Sequence, residues 1–284
     1  MKVAKTIQSV RKLVQAARRD GKKIGFVPTM GALHAGHISL IEAAKRKCDF
    51  IVVSIFVNPT QFGPNEDFQK YPRPLKTDLS FCRQTGVDLV FTPSAREMYG
   101  DENLTWIDVE KLSEPLCGRF RPGHFRGVAT VCAKLFNIVL PDIAFFGQKD
   151  AQQATIIRRM VADLNMPLKI AVYPTIREKS GLALSSRNQY LTAQQKQDAA
   201  AIYKSLQKCR ELIKSGVRNS NLLKSQIKKI LKQIPQLKIQ YIGIVDAETL
   251  QDLEQIKGRM LIAIAVKLGT TRLIDNIIVD VAEK

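Results

Sequence analysis

Two imidazoles three residues apart, His34 and His37, are two of only three histidines in a chain of 284 residues. They close the run 26–37, in which Gly31 and Gly36 allow a ligand close to the backbone. A strand-like segment precedes the run and a helix-like one follows. A helix N-terminus offers backbone N–H groups to an anion, and an imidazolium can hydrogen-bond the charge that grows on a departing phosphate oxygen. The pattern predicts a nucleotide-phosphate cradle. It is neither a dinucleotide glycine fingerprint nor a Walker loop, because no Gly-Lys-Ser/Thr occurs in it. The plainer alternative is a helix cap with two half-exposed histidines. A zinc site is disfavoured, since no further ligands stand at suitable spacing.

Two further constellations follow strand-like runs. Residues 146–153 contain Gly147, Gln148, Lys149, Asp150 and Gln153, and residues 179–188 contain Leu184, Ser185, Ser186 and Arg187. Arg supplies a planar fork and Lys a mobile point charge, so together with the histidines they would surround a triphosphate with donors. Taken singly, Lys149 suits a surface and the two serines suit a helix cap. Asn58 and Gln61 are neutral amides, fitted to reading hydroxyls and carboxylates. Asn58 precedes a proline and is explained by a turn, whereas Gln61 is not. Arg119, Arg121, His124 and Arg126 punctuate a Gly/Pro-rich stretch, 118–127, which reads as a mobile anion-contacting lid or as a plain surface loop.

The elements that must position these residues alternate. Strand-like apolar runs fall at 24–28, 50–57, 87–91, 143–146 and 169–174, and helix-like periodic segments at 38–47, 75–85, 128–140 and 151–164. Runs without polar alternation belong to strands buried on both faces. This predicts a doubly wound α/β domain whose ligands sit outside the carboxyl ends of its strands. Ile7, Val10, Leu13, Val14 and Ala17 predict an earlier helix. After residue 185 the texture changes: Thr192 caps a helix reaching about Lys214, a second begins at Asn219 or Ser220, and strands follow at 237–245 and 260–268. The expected division is a catalytic domain over 1–185 and a smaller α+β domain over 186–284, joined by a hinge near 185–190.

Hydrophobic residues make up 45% and charged residues 25%, as in an ordinary folded protein, but Lys+Arg 44 against Asp+Glu 26 gives a net charge of +18. That excess favours anionic partners. Ten basic residues and one acid, Glu211, lie between Lys204 and Lys238, a net of nine and half the excess. A solvated helix face is the simpler reading of this run, and RNA binding the sharper one, weakened by the absence of interleaved aromatics. Five scattered cysteines, an odd number without a Cys-x-x-Cys pair, suggest a reduced, cytoplasmic protein. The basic first residues lack an apolar secretory core, and no stretch approaches the ~18 apolar residues of a membrane span.

Residues 28–37 (PTMGALHAGH), 54–73, 121–139, 141–153 and 177–191 (REKSGLALSSRNQYL) resemble, in order, the pantothenate synthetase (pantoate–β-alanine ligase) family over the first two thirds of the chain. The last third resembles the family's small dimer-associated domain in length and texture only. The resemblance implies a Rossmann-like domain of nucleotidylyltransferase type, related to class I aminoacyl-tRNA synthetases, with HAGH and LSSRN as counterparts of their two signatures. It implies condensation of (R)-pantoate with β-alanine by way of a pantoyl adenylate, using ATP and Mg2+, in a cytoplasmic homodimer without specific nucleic-acid or membrane partners. Another small-acid adenylate-forming enzyme is the alternative. Met30, Gly31, Ala32, Leu33, His34, Ala35, Gly36 and His37 would line the ATP site, with His34, His37, Lys149 and Arg187 acting in catalysis. Gly147 to Asp150 and Leu184 to Arg187 would complete that site, and Ile176 would meet adenine through its backbone. Gln61 and Gln153 would hold pantoate, Gln61 and Asn58 β-alanine, and Asp78 is a magnesium candidate. The chain departs from the family's common form at Ala35, often polar, at Gln148, often Glu, and at Ser180, usually Asp.

Overall fold

The computed structural model describes residues 1–64 and 66–282. The chain forms two compact units. One comprises Met1–Ser113, Arg121–Gly147 and Ile156–Pro174, the other Glu114–Phe120, Gln148–Thr155 and Thr175–Lys284.

In chain order the elements that build the first unit are β1 (Lys2–Ala4), α1 (Ile7–Arg19), β2 (Ile24–Thr29), α2 (Ala35–Lys45), β3 (Phe50–Ile55), α3 (Leu75–Gln84), β4 (Leu89–Phe91), α4 (Ala95–Tyr99), α5 (His124–Val139), β5 (Ile143–Gly147), α6 (Ala151–Asp163) and β6 (Lys169–Tyr173). The first residues of α6 belong to the second unit. The six strands form one parallel sheet in the order β1-β4-β3-β2-β5-β6. From β2 the chain winds one way through β3 to β4, then crosses to β5 and β6, so the strand order reverses between β2 and β5. Pairing across that junction is short. β2 runs in register with β3 from Ile24 to Thr29 but meets β5 only at Gly25↔Ile143 and Phe26↔Ala144. Pro28 has no N–H to give a ladder and falls beyond the β5 pairing.

Phe26, Val27, Val52, Val53, Leu89, Val90, Phe91 and Phe145 are fully buried, as two-sided helix cover requires. Each such side chain contributes about 1.5–3 kcal/mol. All five expected strands are present. Two helices begin earlier than the apolar spacing suggests. α2 starts at Ala35 because His34 caps it, and α5 starts at His124, so the end of the stretch read as a loop is helix. β1, three residues long, and α4, five, are too short for a periodicity signal.

The second unit contains α7 (Ala193–Lys214), α8 (Ser220–Leu231) and an antiparallel sheet of β7 (Leu237–Asp246), β8 (Gly258–Leu268) and β9 (Thr271–Val281), in that order. Thr192 and Gln195 form a reciprocal capping box at the start of α7, and Asn219 caps α8. Leu206, Cys209, Leu223, Ile227, Leu231, Ile262 and Val266 share its core. Lys204, Lys208 and Lys214 on α7, Lys228 and Lys229 on α8, and Lys232 at the C-cap of α8 are exposed.

The compact units do not divide at 185. The Cys117 N–H donates to Gln152 Oε1 at 3.0 Å, and the Phe120 ring lies 5.8 Å from that of Tyr241. Such contacts, between residues far apart in sequence, draw 114–120 and 148–155 into the second unit, which resumes at Thr175. All five cysteines are free and buried. Burial pushes the Cys82 thiol up to about 11 and those of Cys132 and Cys209 up to about 12.

Candidate active site

In the first unit, β2 ends in a turn bound to the sheet by Thr29, whose hydroxyl donates to the Ser54 carbonyl (2.7 Å) and accepts from the Gly31 N–H (3.1 Å). Gly31 (φ +84°) and Ala32 (φ +50°) are left-handed. A carboxylate closes this unusual turn. Asp78 Oδ2 accepts from the Ala32 N–H at 2.9 Å and Oδ1 from the Leu33 N–H at 2.8 Å. A Cβ at residue 31 would stand 3.0 Å from Asp78 Oδ2, so the position needs glycine on two counts. Burial raises the Asp78 carboxyl above its ordinary range, against the two amide bonds that lower it. The magnesium assignment does not fit this arrangement. Asp78 is buried and both its oxygens already accept backbone amides. A cavity of about 540 Å3 opens beside the turn, bounded by Met30, Gly31, Ile55, Phe56, Arg73 and Asp78.

His34 and His37 do not simply project from one helix face. His34 is the N-cap of α2, its Nδ1 accepting from the Gly36 N–H at 3.1 Å, while His37 reaches back so that its Nδ1 accepts from the His34 N–H at 3.2 Å. The two rings lie 4.1 Å apart. An amide N–H can only donate, so each Nδ1 is an acceptor and each neutral ring carries its proton on Nε2. Two of the backbone donors expected to face an anion, the N–H groups of His34 and Gly36, are thus taken up by the imidazoles. Gly36 makes room for the pair: a Cβ there would come within 2.9 Å of His34 Cε1. Ala35 is exposed, so a small residue in place of a polar one leaves the cap unchanged.

β3 leads to Asn58, which caps a short 3-10 turn over Pro59–Gln61. Every polar atom of the Asn58 side chain is engaged. Nδ2 donates to Gln61 Oε1 (3.2 Å) and to the Gly127 carbonyl (3.1 Å), while Oδ1 accepts from Tyr99 Oη (2.6 Å) and from Thr60. Asn58 therefore orients Gln61 and does not itself reach for β-alanine. The Gln61 amide, with Oε1 held by Asn58, directs Nε2 to Met30 Sδ at 2.8 Å.

Of the charged groups in the stretch expected to be a lid or a surface loop, Arg121 and His124 are paired within the fold. Arg121 is paired bidentately with Glu66 at 2.6 Å through Nε and Nη2. Its Nη1 donates to His124 Nε2 (2.8 Å), and His124 Nδ1–H donates to the Gln61 carbonyl (2.8 Å). These groups brace the Gln61 turn from behind. Burial pushes Glu66 up, but the Arg121 hydrogen bonds and charge outweigh it and hold the carboxyl below its ordinary range. A depressed carboxyl stabilises the fold above the unfolded pKa, about 4.3, and loses that contribution as pH falls through the folded value. Glu66→Gln should therefore cost about 1.5–3 kcal/mol at pH 7 and flatten the acid limb of a plot of Tm against pH. An unaltered acid limb would show that the pair is not stabilising.

In the second unit, Gln148–Asp150 form a 3-10 turn continuing from Gly147, with Lys149 Nζ 3.7 Å from Asp150 Oδ1. Gln152 is buried and locked to the Cys117 N–H and the Pro115 carbonyl, whereas Gln153 is half-buried. The Ile176 carbonyl accepts from the Leu184 N–H (3.0 Å), and Arg177 pairs with Ala183 across an antiparallel bridge. Ser180 Oγ accepts from the Leu182 N–H at 3.3 Å, the bond an Asp would make there. Ser185 caps the short helix Ser186–Tyr190 through the Arg187 N–H, realising the plain reading of that serine.

A reversal of strand order beside a turn of paired histidines marks an α/β protein of the ligand-binding kind, with its site outside the carboxyl ends of the strands. A family model described as pantoate-beta-alanine ligase matches residues 2–278. Pantothenate synthetases of Thermoanaerobacter pseudethanolicus and Thermosipho africanus are 53% and 54% identical to this chain, the alignments covering 98% of it in both cases and 98% and 100% of the relatives. The crystal structure of the Thermus thermophilus pantothenate synthetase superposes with a TM-score of 0.93 at 41% identity, over 98% of this chain and 99% of that one. That of the Francisella tularensis ligase, complexed with beta-gamma ATP and beta-alanine, gives 0.79 at 39%, over 98% and 97%. The chain belongs to the pantoate–β-alanine ligase family and is a ligase. The likeness extends well past the first two thirds that the motifs cover.

Proposed function

We propose that the ligation runs in two steps. A pantoate carboxylate oxygen attacks the α-phosphorus of ATP, the bond to the bridging oxygen breaks, and pyrophosphate leaves; the β-alanine amine then attacks the acyl carbon, loses a proton, and AMP departs with the carboxyl oxygen. ATP and β-alanine as substrates are supported by the ligands of the Francisella tularensis relative. One observation carries the reading: the reciprocal cap directs both histidine protons to Nε2, giving two fixed donors for phosphate oxygens where charge accumulates.

In this reading the nucleotide-binding roles fall to Met30 to His37, to Gly147 to Asp150, to Ile176 and to Leu184 to Arg187, with Lys149 and Arg187 on phosphates. Gln61 and Gln153 hold pantoate by hydrogen bonds, and Asn58 serves by orienting Gln61. A bound Mg2+ would supply screening of phosphate charge, and Asp78, whose oxygens hold the Ala32 and Leu33 amides, is not assigned as its ligand. A cytoplasmic homodimer completes the reading, the buried free cysteines supporting a reducing compartment.

ATP–pyrophosphate exchange tests the proposal. Exchange should require pantoate and proceed without β-alanine, whose addition should yield pantothenate and AMP. Exchange that ignores pantoate would assign the enzyme another acid.

A further inference from the structure

Two consecutive residues in the middle of β9, Asp275 and Asn276, are polar and almost fully buried (3% and 4% exposed) among Leu273, Ile274, Ile277 and Ile278. Neighbours on a strand face opposite ways, and each of these meets a different segment of the second unit. Asn276 Nδ2 donates to the carbonyls of both Gln148 and Lys149 at 2.9 Å, and Gln148 Nε2 returns a bond to Asn276 Oδ1 at 3.4 Å. Asp275 receives both arms of Arg177, at 2.6 and 2.9 Å. Arg177 also donates to the Gly181 carbonyl (3.1 Å) and stacks 3.7 Å from the Tyr203 ring centroid, so its plane is fixed. One strand thereby grips the turn that carries Lys149 and the loop that carries Ser185 to Arg187.

We propose that Asp275, Asn276 and Arg177 are positioning residues for adenylation, setting the Lys149 turn and the Ser185–Arg187 loop at a fixed separation before the nucleotide arrives. The proposal rests on the nucleotide role given to those two segments. Neither side chain is needed to reach substrate: an amide placed on two successive carbonyls sets the direction of the intervening backbone, and hence where Lys149 starts. A displacement of about 1 Å at a reacting group can cost ~10²-fold in rate.

Asn276→Asp is the sharp variant, because it keeps shape and turns two donors into an acceptor facing two carbonyls. In the full-length enzyme it should lower the kcat of pantoate-dependent exchange about 10- to 100-fold, leave the KM for pantoate within about twofold, and act through Lys149. On a Lys149→Ala background the same substitution should change the residual rate by less than about twofold, since residues acting as one unit are not additive. Arg177→Lys, which keeps the charge but loses the fork and the stack, should show the same split between kcat and the KM for pantoate. Should Asn276→Asp fail to fold, Asn276→Ser is measured in its place against the same criteria. Wild-type kcat in the folded variant, or an effect that adds fully to Lys149→Ala, would overturn the proposal. If wild-type enzyme itself lacks pantoate-dependent exchange, the functional reading fails instead, and the two failures are told apart.

Discussion

Replacing His37 by glutamine leaves the fold intact and slows adenylate formation by about 10²- to 10³-fold, the range for removing one preorganised donor from developing charge. Alanine would be the less informative choice. His37 Nδ1 accepts the His34 N–H at the head of α2, so alanine deletes a cap contact as well as the ring. Losing a cap costs about 0.5–2 kcal/mol by itself. Glutamine three residues after the cap is the ordinary capping-box partner; its Oε1 can accept the same N–H, while its own NH2 donors sit on a flexible amide and do not reproduce the fixed position of the imidazole Nε2–H. The measurements are single-turnover adenylate formation and Tm, the latter expected within about 3 °C of wild type. Unchanged single-turnover rates would remove His37 from the phosphate chemistry and leave it a cap.

Gly127→Ala should damage both stability and pantoate recognition. A Cβ on residue 127 would lie 2.3 Å from the Thr60 carbonyl oxygen, 2.6 Å from its carbon and 2.8 Å from the Gln61 nitrogen. All three are backbone atoms, so no rotamer change relieves the clash. α5 must instead retreat from the Asn58–Gln61 turn, taking with it the Gly127 carbonyl that Asn58 Nδ2 holds. Overpacking of this kind costs about 1–3 kcal/mol or more, a Tm loss of several degrees. Because Asn58 also fixes Gln61 Oε1, the KM for pantoate should rise about tenfold or more, while ATP binding measured without pantoate should be nearly unchanged. A lowered Tm with a wild-type KM for pantoate would separate the close approach from recognition.

How much of this was legible depends on whether a signal is local. Phe50–Ile55 and Ile143–Gly147 were readable because both faces of a central strand are apolar. β9 was not, since Arg272, Asp275, Asn276 and Asp280 interrupt its apolar residues, and two of them, Asp275 and Asn276, serve contacts 98 and 128 residues away in sequence. The histidine pair stood out by spacing and by its place after β2. Its reciprocal cap did not, because the usual signature is Ser or Thr followed by Glu or Gln. The Gly, Pro and charge content of 118–127 suits a lid or a plain surface loop alike. Its partners, Glu66 and the Gln61 carbonyl, lie 55 to 63 residues away, and no window along the chain contains both. Asp78 enters only through the family resemblance, as a magnesium candidate, and its function as an acceptor for Ala32 and Leu33 shows only when α3 is packed beside the β2 turn.

The seclusion of every cysteine has a practical side. All five thiols are buried, so alkylating and fluorescent reagents have little access to them on the native enzyme. Ala35, exposed and flanked by His34 and Gly36, is an open address for a single reporter thiol. A dye attached there would sit at the first turn of α2 and register events at the histidine pair as a change in light.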